Sequence, residues 1–192
     1  AILNAPPQPV SISTKSGKLD ALLTATYAEA PSLLFTQTPT MTYQMCFYSR
    51  KPFKWNFNGR PSLSEVNLAV IQDYGYGEPV DSHITIAENH SLTTIKDGGI
   101  DRLYSMLQAK RFDVFIGDSN VVTWQLQENI QTLNKAGCLN ENPFYMAFNP
   151  TKKWAKKIIM NLDSWLKEAD NLKRLQKIKA SYAAPLIQSI QK

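Results

Sequence analysis

No stretch of the chain approaches the roughly 18 consecutive apolar residues that a membrane-spanning helix needs. Histidine and cysteine are scarce. His83 and His90 lie in one polar stretch, and the two cysteines are Cys46 and Cys138. No CxxC and no Cys/His spacing of the metal-binding kind occurs, so we expect no metal and no cofactor. A GxSxG motif is missing, no Cys/His dyad stands at a recognisable spacing, and the carboxylates form no paired motif. Those absences remove the common hydrolytic signatures. There is no internal repeat and no low-complexity segment. No charged leader precedes Ala1, so we expect any export signal to have been removed already or never to have been part of this chain.

What is present is a chain of 192 residues, 43% hydrophobic, enough for one good core or two small ones. The net charge is +5 but unevenly placed: residues 151–192 hold ten Lys/Arg against three Asp/Glu, and residues 1–150 hold eleven against thirteen. A basic tail raises nucleic acid or an anionic membrane as partners. Its lysines, however, interleave with an apolar stripe at helical spacing, which predicts the solvated face of a packed helix. No aromatic-basic cluster of a nucleic-acid module accompanies them, and no nucleic-acid partner is expected.

Residues 1–10 hold three prolines, and 11–18 read as a short helix or loop. Leu19–Thr26 is an apolar run ending in threonine, which predicts a buried strand. Met41–Ser49 is a long β-rich run. Asn67–Gln72 predicts a strand that ends in Asp73-Tyr74-Gly75-Tyr76-Gly77, and Ile84–Glu88 a further strand. Leu103, Met106 and Leu107 mark a helix over 101–110. Phe112–Gly117 reads as a strand, 119–128 as a helix, and Pro143–Phe148 as the last strand. Trp154, Ile158, Leu162 and Trp165 mark an amphipathic helix that should bury them together; Leu172, Leu175 and Ile178 mark a second. Strands alternating with helices predict an α/β protein with a mainly parallel sheet.

Four segments, in this order, carry a resemblance. They are SGKLDALLTATYAEAPSLLFTQTP (Ser16–Pro39), MTYQMCFYSRK (Met41–Lys51), LSEVNLAVIQDYGYGEPVD (Leu63–Asp81) and LYSMLQAKRFDVFIGDSNVV (Leu103–Val122). The chain resembles the family-3 extracellular solute-binding proteins, receptors that feed polar solutes to ABC importers. The resemblance implies the two-lobed periplasmic binding protein type II fold. Residues 1–44 with 149–192 would form lobe one, and 45–148 lobe two, with a sheet of 45–50, 67–72, 84–88, 112–117 and 143–148. Met41–Ser49 would cross between the lobes. Cys46 and Cys138, beside strands expected to be neighbours in lobe two, are expected to form a disulfide in an oxidising compartment.

Two departures qualify the family pattern. Only some 16 residues precede the GKLD segment, where family members carry about two strands and a helix. Lobe one would then be incomplete, and strand 19–26 would be capped by residues 1–10 or completed by a second copy in a homodimer. The family's amino-acid receptors also place an arginine after this strand to clamp a carboxylate. Here the loop Tyr27-Ala28-Glu29-Ala30-Pro31-Ser32 has none, and Glu29 would repel a carboxylate.

The implied function is non-catalytic binding of a small polar solute in an inter-lobe cleft, in the periplasm, as the receptor of an ABC permease. The alternative is a degenerate relative serving as a sensory or interaction module; a few proteins of this fold are dehydratases. Carboxyl ends of strands face the crevice in open α/β sheets, which selects three sets of ligand-binding candidates. Thr24, Thr26 and Tyr27 end the first strand, although threonines also simply favour strands. Tyr74 and Tyr76 flank Gly75, where backbone N–H groups and a helix start favour an anion, unless this is a plain turn. Asp118 and Asn120 follow the VFIG strand, where the family's aspartate takes an amino group and where a helix N-cap would also sit.

Overall fold

The structure is a computed structural model that describes residues 20–86, 91–96 and 98–183. The expected capping role of residues 1–10 lies outside the described residues. The chain divides into two compact units, and it passes between them at Tyr43/Gln44 and again at Glu141/Asn142.

The first unit is a small sheet with two helices. Its strands are β1 (Ala21–Ala25), β2 (Leu34–Phe35), β3 (Met41–Tyr43) and β9 (Asn142–Phe148). The strand at 143–148, expected in lobe two, is instead the centre of this sheet. It pairs antiparallel with β1 (Ala25 opposite Tyr145), β2 (Phe35 opposite Ala147) and β3 (Tyr43 opposite Asn142). Parallel pairing is expected overall, but among the described residues this sheet pairs antiparallel only. β1 is not the buried strand its apolar run suggested. Leu23 is 72% exposed and Thr24 is exposed as well, because β1 is an edge strand of the described sheet. The core is small, formed by Ala25, Ala30, Leu33 and Ala147 with Leu22 and Phe35 against it.

The C-terminal helices form as the periodicity predicts: α4 (Ala155–Lys167) and α5 (Ala169–Ala183). Their lysines at 156, 157, 167, 173, 177 and 179 are exposed. The expected joint burial of Trp154, Ile158, Leu162 and Trp165 does not occur. Ala155, Asp163 and Leu166 take the buried face, and Trp154, Ile158 and Trp165 remain 43%, 38% and 41% exposed. Spacing does put those three on one stripe. It lies beside the stripe of Ala155, Asp163 and Leu166 that the helix buries.

The second unit holds β4 (Met45–Arg50), β5 (Leu68–Ile71), β6 (Leu92–Ile95), β7 (Val114–Asp118) and β8 (Leu133–Cys138), in the order β6-β5-β7-β4-β8. β5 runs parallel to β6 and β7, while β4 runs antiparallel to β7 and β8. Helices α1 (Val80–Ile86) and α2 (Ile100–Gln108) make the crossovers that parallel strands require. α3 (Ser119–Leu126) follows β7. The segment 84–88, expected as a strand, begins as the end of α1; the strand comes later, at β6. Short apolar runs such as Ile84-Thr85-Ile86 do not distinguish strand from helix by themselves. β8 gave no sequence signal, since LNKAGC alternates poorly.

Both faces of this sheet are buried. Cys46, Tyr48 and Phe115 pack with Leu103, Leu107, Val122 and Leu126 on one side. Phe47, Val114 and Ile116 pack with Trp55, Leu63, Tyr76 and Val80 on the other. Successive residues thus serve opposite cores, the period of two that strands impose. Cys46 stands opposite Cys138 across β4 and β8, and the two form a disulfide.

Candidate functional site

In the first unit, β1 delivers Thr24, Thr26 and Tyr27 to a tight turn. Thr26 and Glu29 bind each other reciprocally. The Thr26 N–H and Oγ1–H donate to Glu29 Oε2 at 3.2 and 2.8 Å, and the Glu29 N–H donates to Thr26 Oγ1 at 3.3 Å. This is the T-x-x-E pattern of a capping box, here closing a turn. The Thr26 hydroxyl thus holds the turn, and Thr24 stays exposed.

Tyr27 is 52% exposed. Its hydroxyl donates to the Thr36 carbonyl at 3.4 Å. Its ring lies 4.3 Å from that of Phe35 and 4.9 Å from that of Tyr145, centroid to centroid. Phe35 and Tyr145 meet edge-on at 6.4 Å and 84°. Burial, then Tyr145 and Asp163, push the Tyr27 hydroxyl above its ordinary pKa. Phe35 and Tyr145 were not legible as site residues, because nothing in sequence spacing joins β2 to β9.

In the second unit, the loop after β5 separates its two tyrosines. Tyr74 is 38% exposed, whereas Tyr76 is only 3% exposed. The Tyr76 hydroxyl accepts the Ile71 N–H at 2.7 Å, and burial pushes it far above its ordinary pKa. Tyr76 is a core residue, packed in the cluster that holds Val70, Val80 and Ile116. The backbone N–H groups of Tyr76 and Gly77, expected to await an anion, already donate to the Asp81 carboxylate at 2.9 Å each. Asp81 in the first turn of α1 supplies that negative charge from within the chain.

Asp118 caps α3. Its Oδ1 accepts the N–H groups of Asn120 and Val121 at 2.8 and 3.0 Å. Burial pushes its carboxyl up, while the N–H groups of Val121, Asn120 and Gln44 pull it down. Asn120 is exposed beside it. A shallow pocket of this unit is lined by Tyr48, Thr123, Ile130, Leu133 and Lys135. None of the seven residues chosen from sequence lines it. Among the described residues, no group of three or more His, Cys, Asp or Glu could hold a metal ion, and no helix is long and apolar enough to cross a membrane.

No protein-family model matches the sequence, and no curated protein matches it. Solved structures do. A histidine kinase sensor domain with similarity to periplasmic binding proteins is 15% identical, with a TM-score of 0.67 over 91% of this chain and 74% of that one. An ancestral arginine-binding protein bound to arginine is 14% identical, with a TM-score of 0.66 over 88% of this chain and 74% of that one. The substrate-binding protein of an amino acid ABC transporter from Streptococcus pneumoniae, bound to L-arginine, is 18% identical, with a TM-score of 0.63 over 91% and 73%. These likenesses show the fold: the chain is built as periplasmic solute-binding proteins are.

Proposed function

We propose that this protein is a non-catalytic binder of a small polar solute, exported to the periplasm and serving as the receptor of an ABC permease. The observation that carries the reading is the extent of the structural likeness. About nine-tenths of the chain superposes on solute receptors. Thr24, Tyr27, Tyr74 and Asn120 are the exposed candidates for contact with the solute. Thr26 and Asp118 shape the loops that present them. The disulfide supports an oxidising compartment, where such bonds persist.

A second reading is favoured by the likeness to a histidine kinase sensor domain, whose TM-score is 0.67. In it the same binding event is read by a signalling partner, without transport. A thermal-shift screen of the purified protein against a solute library tests the common element. A solute that binds only the folded state raises the melting temperature in a concentration-dependent way. If no member of a broad library of amino acids, amines, sugars and organic acids does so at millimolar concentration, solute binding is refuted. Co-purification with a permease or with a kinase then separates transport from sensing.

A further inference from the structure

The ring cluster of the first unit carries a statement about which solute. It rests on the solute-binding reading above. Tyr27, Phe35 and Tyr145 come from the turn after β1, from β2 and from the middle of β9, so three separate chain segments converge on one spot. Phe35 is inclined only 33° to Tyr27 at 4.3 Å and backs one side of that ring. Tyr27 is nevertheless 52% exposed. An aromatic ring seated on others but left half open offers part of its surface to whatever approaches.

The segments that supply the rings are acidic, although the helices of the same unit are rich in lysine. Residues 20–43 and 142–151, which supply all three rings, contain Asp20 and Glu29 and no lysine or arginine. Asp20 is paired with Lys152 at 2.7 Å. Glu29 is exposed in the same turn as Tyr27, and the bonds it accepts from Thr26 both reach Oε2 rather than Oε1. Asp163, a buried carboxylate of α4, also acts on Tyr27 and is held by the backbone N–H groups of Gln37 and Thr38. Glu29, two residues from Tyr27, would attract a cation and repel a carboxylate.

We infer that Tyr27, backed by Phe35 and Tyr145, is a platform for the cationic group of the solute, an ammonium or guanidinium, with Glu29 as its counter-charge. A cation within about 6 Å of a tyrosine ring centroid is attracted by the ring quadrupole. That attraction does not need the hydroxyl, which is directed to the Thr36 carbonyl.

The test uses choline, agmatine and spermidine as probes, with the neutral carbon isostere of choline and glutamate as controls, read by thermal shift and calorimetric titration. At least one cation should raise the melting temperature, with the neutral isostere and glutamate weaker or silent. Tyr27→Leu should weaken that cation about tenfold or more, Tyr27→Phe should keep it within about threefold, and Glu29→Gln should weaken it and flatten its salt dependence. Tyr27→Phe also serves as the folded comparator should Tyr27→Leu be unstable, since a loss of affinity in Tyr27→Phe points to the hydroxyl and overturns the platform. Stabilisation only by an anion or a neutral sugar overturns the cationic inference while leaving solute binding intact. Stabilisation by nothing in the wider library overturns both.

Discussion

Asp163 of α4 reaches the start of the loop after β2. Its Oδ1 accepts the backbone N–H groups of Gln37 and Thr38 at 2.8 and 3.0 Å, across more than a hundred residues of sequence. Asp163 is 7% exposed, so this carboxylate joins helix to sheet in a unit whose apolar core is small. Asp163→Ala leaves two N–H groups without their acceptor and removes a charge-assisted pair of bonds. We expect a loss of about 2–3 kcal/mol in urea unfolding, with Asp163→Asn intermediate. A change below about 0.5 kcal/mol for the alanine variant would show that the contact is not made.

The disulfide closes a loop with a sequence separation of 92. In the chain-entropy model, closure of a loop this long is worth roughly 4–5 kcal/mol. The Cys46→Ala/Cys138→Ala double variant should therefore show a lower denaturation midpoint. Thiol titration of the unfolded native protein with and without reductant checks the bond directly. Finding two free thiols without reductant would refute it.

Asp118 is expected to act through its cap. Asp118→Ala should cost about 1 kcal/mol of stability, as removal of an N-cap does, and Asp118→Asn a few tenths, since an amide oxygen still accepts. Affinity for a solute found by screening should change little in Asp118→Asn. A loss of binding of tenfold or more with stability unchanged would give Asp118 a direct role in the ligand site.

His83 lies on α1 at 7% exposure, and its Nε2 has no hydrogen-bond partner among the described residues. Burial and then Arg60 hold its pKa below the ordinary value. The folded protein therefore keeps His83 neutral where the unfolded chain takes up a proton. The stability this contributes is complete above the unfolded pKa, near 6.5, and is lost as pH falls below it toward the folded value. His83→Gln should flatten stability against pH in that window. An unchanged slope between pH values of about 7 and 5 would show that His83 does not set it.

Much of the second unit is legible in the sequence, and the reasons are local. Met45–Arg50, Leu68–Ile71 and Val114–Asp118 are β-branched or aromatic runs bounded by turns, and α2 and α3 announce themselves by periodicity and by the Asp118 cap. Ile84–Ile86 misleads because an apolar run of that length suits a helix end equally well. The candidate site is less legible. Tyr74 and Tyr76 are chemically alike in sequence, and only packing sends one to solvent and the other to the core.

The sequence by itself determined most of the strands and helices, that the chain is α/β, and that Asp118 stands where a helix N-cap would sit, because those follow from side-chain spacing and short-range hydrogen bonds. Tertiary structure decided which sheet owns 142–148. It also decided that Trp154 and Trp165 stay half exposed, and that Phe35 and Tyr145 meet Tyr27. Strand pairing joins residues far apart in the chain. A strand's own pattern records that one face is buried but carries no record of the partner that buries it.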